Sequence, residues 1–155
     1  GKEYRLKEAL ADLDSFDFVV MDTPPSLNII TINALTASDY AVIPAQADIF
    51  SLQGITQLGQ TIEAVKRYTN KDLKVLGIVL TKHNTRSILS RDLQKVITDT
   101  AMQLHTKVYK QYIREAVAVR EAQAMKQDVF SYDPKSNATQ DYDALMNEIW
   151  KDINQ

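Results

Sequence analysis

The sequence predicts an α/β fold, a mostly parallel sheet flanked by helices on both faces. Three observations predict it. Apolar strand-like runs alternate along the chain with segments of helical periodicity, the order that builds crossover units. The strand-like runs are continuously apolar rather than alternating, as strands covered on both faces require. The 155 residues are 45% hydrophobic and 25% charged, ordinary proportions for a chain with a real core.

Residues 4–13 read as a short helix, with Leu6, Ala9, Leu10 and Leu13 on one side. Residues 16–21, FDFVVM, are aromatic and β-branched and read as a buried strand. Residues 31–37 suit a helix. Residues 41–44, AVIP, form a second buried strand that the proline is expected to end. In residues 53–68, Ile55, Leu58, Ile62 and Val65 recur at spacings of three and four, an amphipathic helix. Residues 73–80, LKVLGIVL, are a third strand. Residues 87–104 place Leu89, Leu93, Val96, Ile97 and Leu104 on one helical face, which leaves Arg91 and Lys95 on the other. Residues 107–113 read as a fourth, more polar strand. Residues 117–126 are helical, and 141–153 form a last helix with Leu145, Ile149 and Ile153 in line and Trp150 and Met146 as core. Four strands make a thin sheet. The expectation is therefore one domain over residues 1–155 that is incomplete at its amino-terminal side.

The absence of cysteine excludes a disulfide scaffold, a thiolate zinc site and a cysteine-ligated cluster. No apolar run approaches the ~20 residues of a transmembrane helix. His83 and His105 stand alone, without metal-ligand spacing. The net charge of −2 hides an asymmetry: from Lys82 to Arg120 eight Lys and Arg face three acids, so this block is +5 and the remainder −7. Such a block is either a polyanion footprint or a solvated helix face.

The sharpest local signal is Asp22-Thr23-Pro24-Pro25-Ser26, directly after FDFVVM. An acid at the carboxyl end of a buried strand sits where open α/β sheets bind ligands. Two prolines stiffen the turn and remove two backbone donors. The stretch DTPPSLNIITINALTASDYAVIPAQADIFSLQGITQL resembles the ParA/Soj partition ATPases, deviant-Walker members of the P-loop class. LKVLGIVLTKHNTRS is similar to their next strand and loop, and EAQA with YDPKSNATQDY to their closing region.

The resemblance implies an ATP-dependent switch for DNA partition. Asp22 would be the Mg²⁺-associated acid and Thr23 to Ser26 the second switch, with Asp22, Thr23, Pro24 and Pro25 as the catalytic residues. Thr81 and Lys82 would lie near the adenine of ATP, with Asp133 and Pro134. Arg86 matches a DNA-contacting arginine, and Arg91, Lys95 and Arg120 would extend the contact to non-specific DNA. The implied partners are that DNA, a ParB-like centromere-binding protein and a second copy in a homodimer, in the cytoplasm on the nucleoid, with no membrane. Two departures stand out. No G-x-x-x-x-G-K-[ST] loop occurs, the one Gly-Lys pair being Gly1-Lys2 before Glu3, so the chain reads as the carboxyl-terminal two-thirds of such an ATPase. Ile113-Arg114-Glu115 replaces the Ile-Pro-Arg-Asn of many relatives, and Ala118 stands at the second DNA-contacting arginine. Two other readings are a degenerate, non-enzymatic dimerisation or DNA-binding module, and a membrane-cycling ATPase like MinD. The last helix speaks against the latter, since Glu148, Lys151 and Asp152 give it no basic face.

Overall fold

A computed structural model describes residues 1–155. Contacts divide the chain into two compact units, residues 1–41 with 54–75 and residues 42–53 with 76–155. A 3₁₀ turn at Lys2–Tyr4 leads into α1 (Arg5–Leu10). Then follow α2 (Ile29–Ala37), β1 (Tyr40–Ala45), α3 (Ile49–Tyr68), β2 (Lys74–Leu80), α4 (Ile88–Gln103), α5 (Val117–Ala124), α6 (Val129–Tyr132) and α7 (Asn137–Ile153).

β1 and β2 pair in parallel through the α3 crossover. The Lys74 amide donates to Asp39 O at 3.0 Å and the Thr81 amide to Ala45 O at 2.8 Å, so both chains advance together. Odd-numbered residues of β1 therefore face β2, and Tyr40, Val42 and Pro44 face the free edge. Pro44 thus costs no ladder bond, and the strand runs through it to Ala45 rather than ending there.

On its other side β2 bonds to residues 107–113. The Ile78 amide donates to Lys107 O, the Tyr109 amide to Ile78 O and the Ile113 amide to Leu80 O, at 2.8–2.9 Å. Two residues of β2 are thus matched by four of the partner. Lys110 to Tyr112, three residues where a regular ladder has one, bulge out, and the Gln111 amide finds Glu148 Oε1 instead at 3.0 Å. What reads as a fourth strand is one parallel bridge, Ile78 to Val108.

In the first unit, Asn33 ties the amino-terminal turn to α2. Its Oδ1 accepts from the Leu6 amide and its Nδ2 donates to Lys2 O. Asn70, buried, donates to the carbonyls of Leu35 and Ser38 and so closes the α2 end onto the α3 end. Ala34, Leu35, Ile62, Val65 and Leu73 are buried here.

The expected strand at 16–21 does not form. Phe16 is 67% and Val20 93% exposed, and this run is neither of the two strands of the sheet. An apolar segment becomes a strand only by pairing its backbone with a neighbour, which composition does not guarantee.

In the second unit, Val79, Tyr109, Ile113 and Leu145 form a core with Leu76, Tyr142 and Ile149 against it. α7 lies on that core through Leu145 and Ile149, while Met146 and Trp150, expected inside, are 51% and 52% exposed. The helix buries one stripe and these two belong to the next. α4 likewise buries Ile97 and Ala101, and turns Leu89 and Val96 outward against expectation.

Candidate functional site

Residues 22–28 carry the motif to the start of α2. Asn28 caps that helix, its Oδ1 accepting from the Ile30 amide at 2.9 Å. Ser26 fixes the approach: its Oγ accepts from Asn28 Nδ2 and its carbonyl from Thr31 Oγ1 at 2.7 Å. Upstream of this clasp Asp22, Thr23, Pro24 and Pro25 are all exposed. The Asp22 carboxylate accepts no hydrogen bond and pairs with no cation. A free carboxylate held ahead of a capped helix suits a hydrated Mg²⁺, a hard cation that keeps most of its water and takes few protein oxygens. No group of three metal-ligating side chains exists that could form an all-protein cage.

The carboxyl ends of β1 and β2 lie together in the second unit, joined by the Thr81 amide on Ala45 O. The loop after β1 is short. Asp48 caps α3 by accepting from the Ser51 amide at 2.7 Å, and Ser51 Oγ accepts from the Gln46 amide. The loop after β2 carries more candidates. Thr81 is half-buried, with its hydroxyl 3.4 Å from Ala45 O. Lys82 is exposed and takes φ 49°, the left-handed region that a side chain normally avoids. That turn drives His83 inward, where its ring meets Tyr112 edge-on at 5.0 Å and neither ring nitrogen has a partner. Arg86 then stands exposed, only its amide engaged, by Asn84 Oδ1.

Ser87 caps α4, accepting from the Ser90 amide. Arg91 and Lys95 follow one turn apart on the solvent side, with Lys95 3.9 Å from Asp92. With Gln94, Thr98 and Asp99 they line a shallow open depression. Arg120 is exposed on α5. Arg86, Arg91 and Arg120 form no ion pair.

Asp133 and Pro134 occupy the turn between α6 and α7. The Asp133 carboxylate accepts from the Lys135 amide at 3.2 Å, and its carbonyl accepts from Thr139 Oγ1 at 2.6 Å. Arg114, in the same basic block, is otherwise occupied. Its Nε and Nη2 hold the two oxygens of Asp141 at 2.9 and 2.7 Å, and its amide adds a third bond. Burial alone would raise the Asp141 pKa. The bonds from Arg114 outweigh it and hold this carboxyl below its usual value. Sequence reading missed this pair, because a Lys/Arg count does not say which cations already have an anion.

Thus the structure groups Thr81, Lys82 and Arg86 in one loop, Arg91 and Lys95 on one helix face, and Asp22 through Pro25 in one segment. No helix is long and apolar enough to cross a membrane.

A family model described as an AAA domain matches residues 1–75. The sporulation initiation inhibitor protein Soj of Bacillus subtilis is 38% identical over 150 residues, which are 96% of this chain and 58% of Soj. The chromosome partitioning protein ParA of Caulobacter vibrioides is also 38% identical, over 96% of this chain and 55% of its own. The chain therefore spans a little over half the length of these relatives. A solved ATP complex of Cyanothece McdA superposes with a TM-score of 0.81 over 96% of this chain and 57% of that one, at 18% identity. This likeness shows the fold, an α/β layer structure with a parallel sheet. Relatives of one kind, named Soj and ParA, thus match nearly the whole of this chain.

Proposed function

We propose that this chain is part of an ATP-dependent partition switch, of the kind that its Soj and ParA relatives are named for, that dimerises on ATP and binds duplex DNA without sequence preference. The observation that carries the reading is the unpartnered Asp22 carboxylate, at the head of a rigid Thr23-Pro24-Pro25 segment clasped to a capped helix. In this reading Asp22 orients the hydration shell of Mg²⁺ on ATP, and the two prolines keep the segment from collapsing onto its own backbone. The metal supplies charge neutralisation at the phosphates. Thr81, Lys82, Asp133 and Pro134 flank the base. Arg86, Arg91, Lys95 and Arg120 contact phosphates of non-specific DNA, and a ParB-like partner stimulates release.

Asp22→Ala in the whole protein tests this reading. ATP hydrolysis should fall at least a hundredfold while the melting temperature stays within a degree or two, because Asp22 contributes nothing to packing. A large fall in melting temperature with unchanged activity per folded molecule would reduce Asp22 to a structural residue.

A further inference from the structure

Ile88 and Leu89 open α4 directly after its Ser87 cap, and they are 69% and 67% exposed. The buried face of this helix is carried by Ile97 and Ala101, further along, so neither residue serves the core of its own unit. Their surroundings are cationic. Lys82 and Arg86 precede the pair, and Arg91 and Lys95 follow it, all exposed. The one carboxylate in this stretch, Asp92, lies beside Lys95 at 3.9 Å. Charge complementarity therefore selects a polyanion. Phosphates alone would leave two branched aliphatic side chains facing water between the arginines. A duplex groove offers sugars and base edges between two rows of phosphates, which matches an apolar pair flanked by Arg86 and Arg91.

We propose that Ile88 and Leu89 enter the minor groove of duplex DNA as an apolar wedge while Arg86 and Arg91 hold the flanking phosphates. The inference rests on the DNA-binding reading above and adds how the duplex is engaged. A wedge partly unstacks a base step, and the bent duplex then contacts more protein surface. It tolerates any sequence but works most easily at flexible pyrimidine–purine steps. An anionic lipid surface shares the phosphate chemistry but needs a continuous apolar helix face. Beyond the first turn the outward face of α4 is mainly polar, with Arg91, Asp92, Lys95, Thr98 and Asp99, and its exposed apolar residues, Val96 and Met102, stand apart and make no continuous stripe.

The test is fluorescence polarisation of labelled duplexes with the whole, ATP-loaded protein across a salt series. It compares the unaltered protein, Arg86→Ala, the double variant Ile88→Ser with Leu89→Ser, and Leu89→Met. The double variant should bind about tenfold more weakly at every salt concentration with an unchanged slope, because apolar contacts release no counterions. It should also lose any preference for TA-rich over A-tract duplexes, whereas Leu89→Met keeps affinity. Arg86→Ala should lower the salt slope by about one. If that slope does not change, the DNA reading itself fails. If it falls but the double variant binds as tightly as the parent, the wedge alone is overturned. A double variant that keeps DNA affinity but loses binding to anionic phosphatidylserine vesicles, or loses self-association, also overturns the wedge and gives the pair to lipid or to a second copy.

Discussion

Arg114 carries a positive charge inside the block that sequence counting marks as polyanion-binding, yet its guanidinium is clamped on Asp141. Arg114→Ala should therefore lower the melting temperature by several degrees, because it leaves a buried carboxylate without its partner, and should leave DNA affinity nearly unchanged. The pH dependence follows from the same pair. The folded-state pKa of Asp141 is depressed, so its contribution is present above the unfolded value of about 4 and is lost as pH falls through the folded value. Thermal scans from pH 6 to pH 2 should show a shallower acid slope for Arg114→Ala than for the parent. A parallel slope would mean that Asp141 is not held by Arg114. His83 is the opposite case, a buried ring with both nitrogens unpartnered. His83→Phe keeps the edge contact with Tyr112 and removes the unsatisfied groups. It should leave stability unchanged or raise it by about 1 kcal/mol. A clear loss in denaturant unfolding would show that the imidazole has a polar role. Neither pairing is written in a linear sequence, where the partners stand 27 and 29 residues apart.

Among the elements, β2 depends on the absence of a side chain at one position. A Cβ at Gly77 would come within 2.5 and 2.8 Å of Tyr109 ring atoms and 3.2 Å of Lys107 O. Gly77→Ala should cost about 1–3 kcal/mol through forced displacement of a buried ring, measurable by urea unfolding. A neutral result would mean that Tyr109 moves freely. Apart from the four-residue α6, the helices and the two paired strands were legible in the sequence because each has its own period or its own continuous apolar run. Element ends were less so. Pro44 was expected to stop β1, but register decides which edge a residue faces, and Pro44 falls on the unpaired one. Residues 107–113 have strand composition, but a bulge at Lys110 to Tyr112 breaks the ladder, and bulges leave little trace in composition. Residues 16–21 show the limit most plainly: FDFVVM is mostly aromatic and β-branched and forms no strand. The motif residues were recognisable by type, whereas the outward turn of Ile88 and Leu89 was not, since apolar spacing alone had assigned Leu89 to the core.

Across the whole molecule, apolar exposure is concentrated in the stretch from Leu13 to Ile30, where Phe16, Phe18, Val19 and Val20 are each about half exposed or more. A polypeptide of these 155 residues should bind an apolar dye and self-associate in the micromolar range, as judged by light scattering. A clean, dye-silent monomer over a wide concentration range would contradict that. The central proposal is that the chain is part of a switch whose grip on DNA follows the nucleotide. The most direct measurement is the affinity of the whole protein for a random-sequence duplex, with ATP and Mg²⁺ against ADP and Mg²⁺, across a salt series. The account predicts tight, sequence-independent binding with a steep salt slope in ATP, and binding weaker by at least tenfold in ADP. Equal affinity in the two nucleotides, or a flat salt dependence, would contradict it.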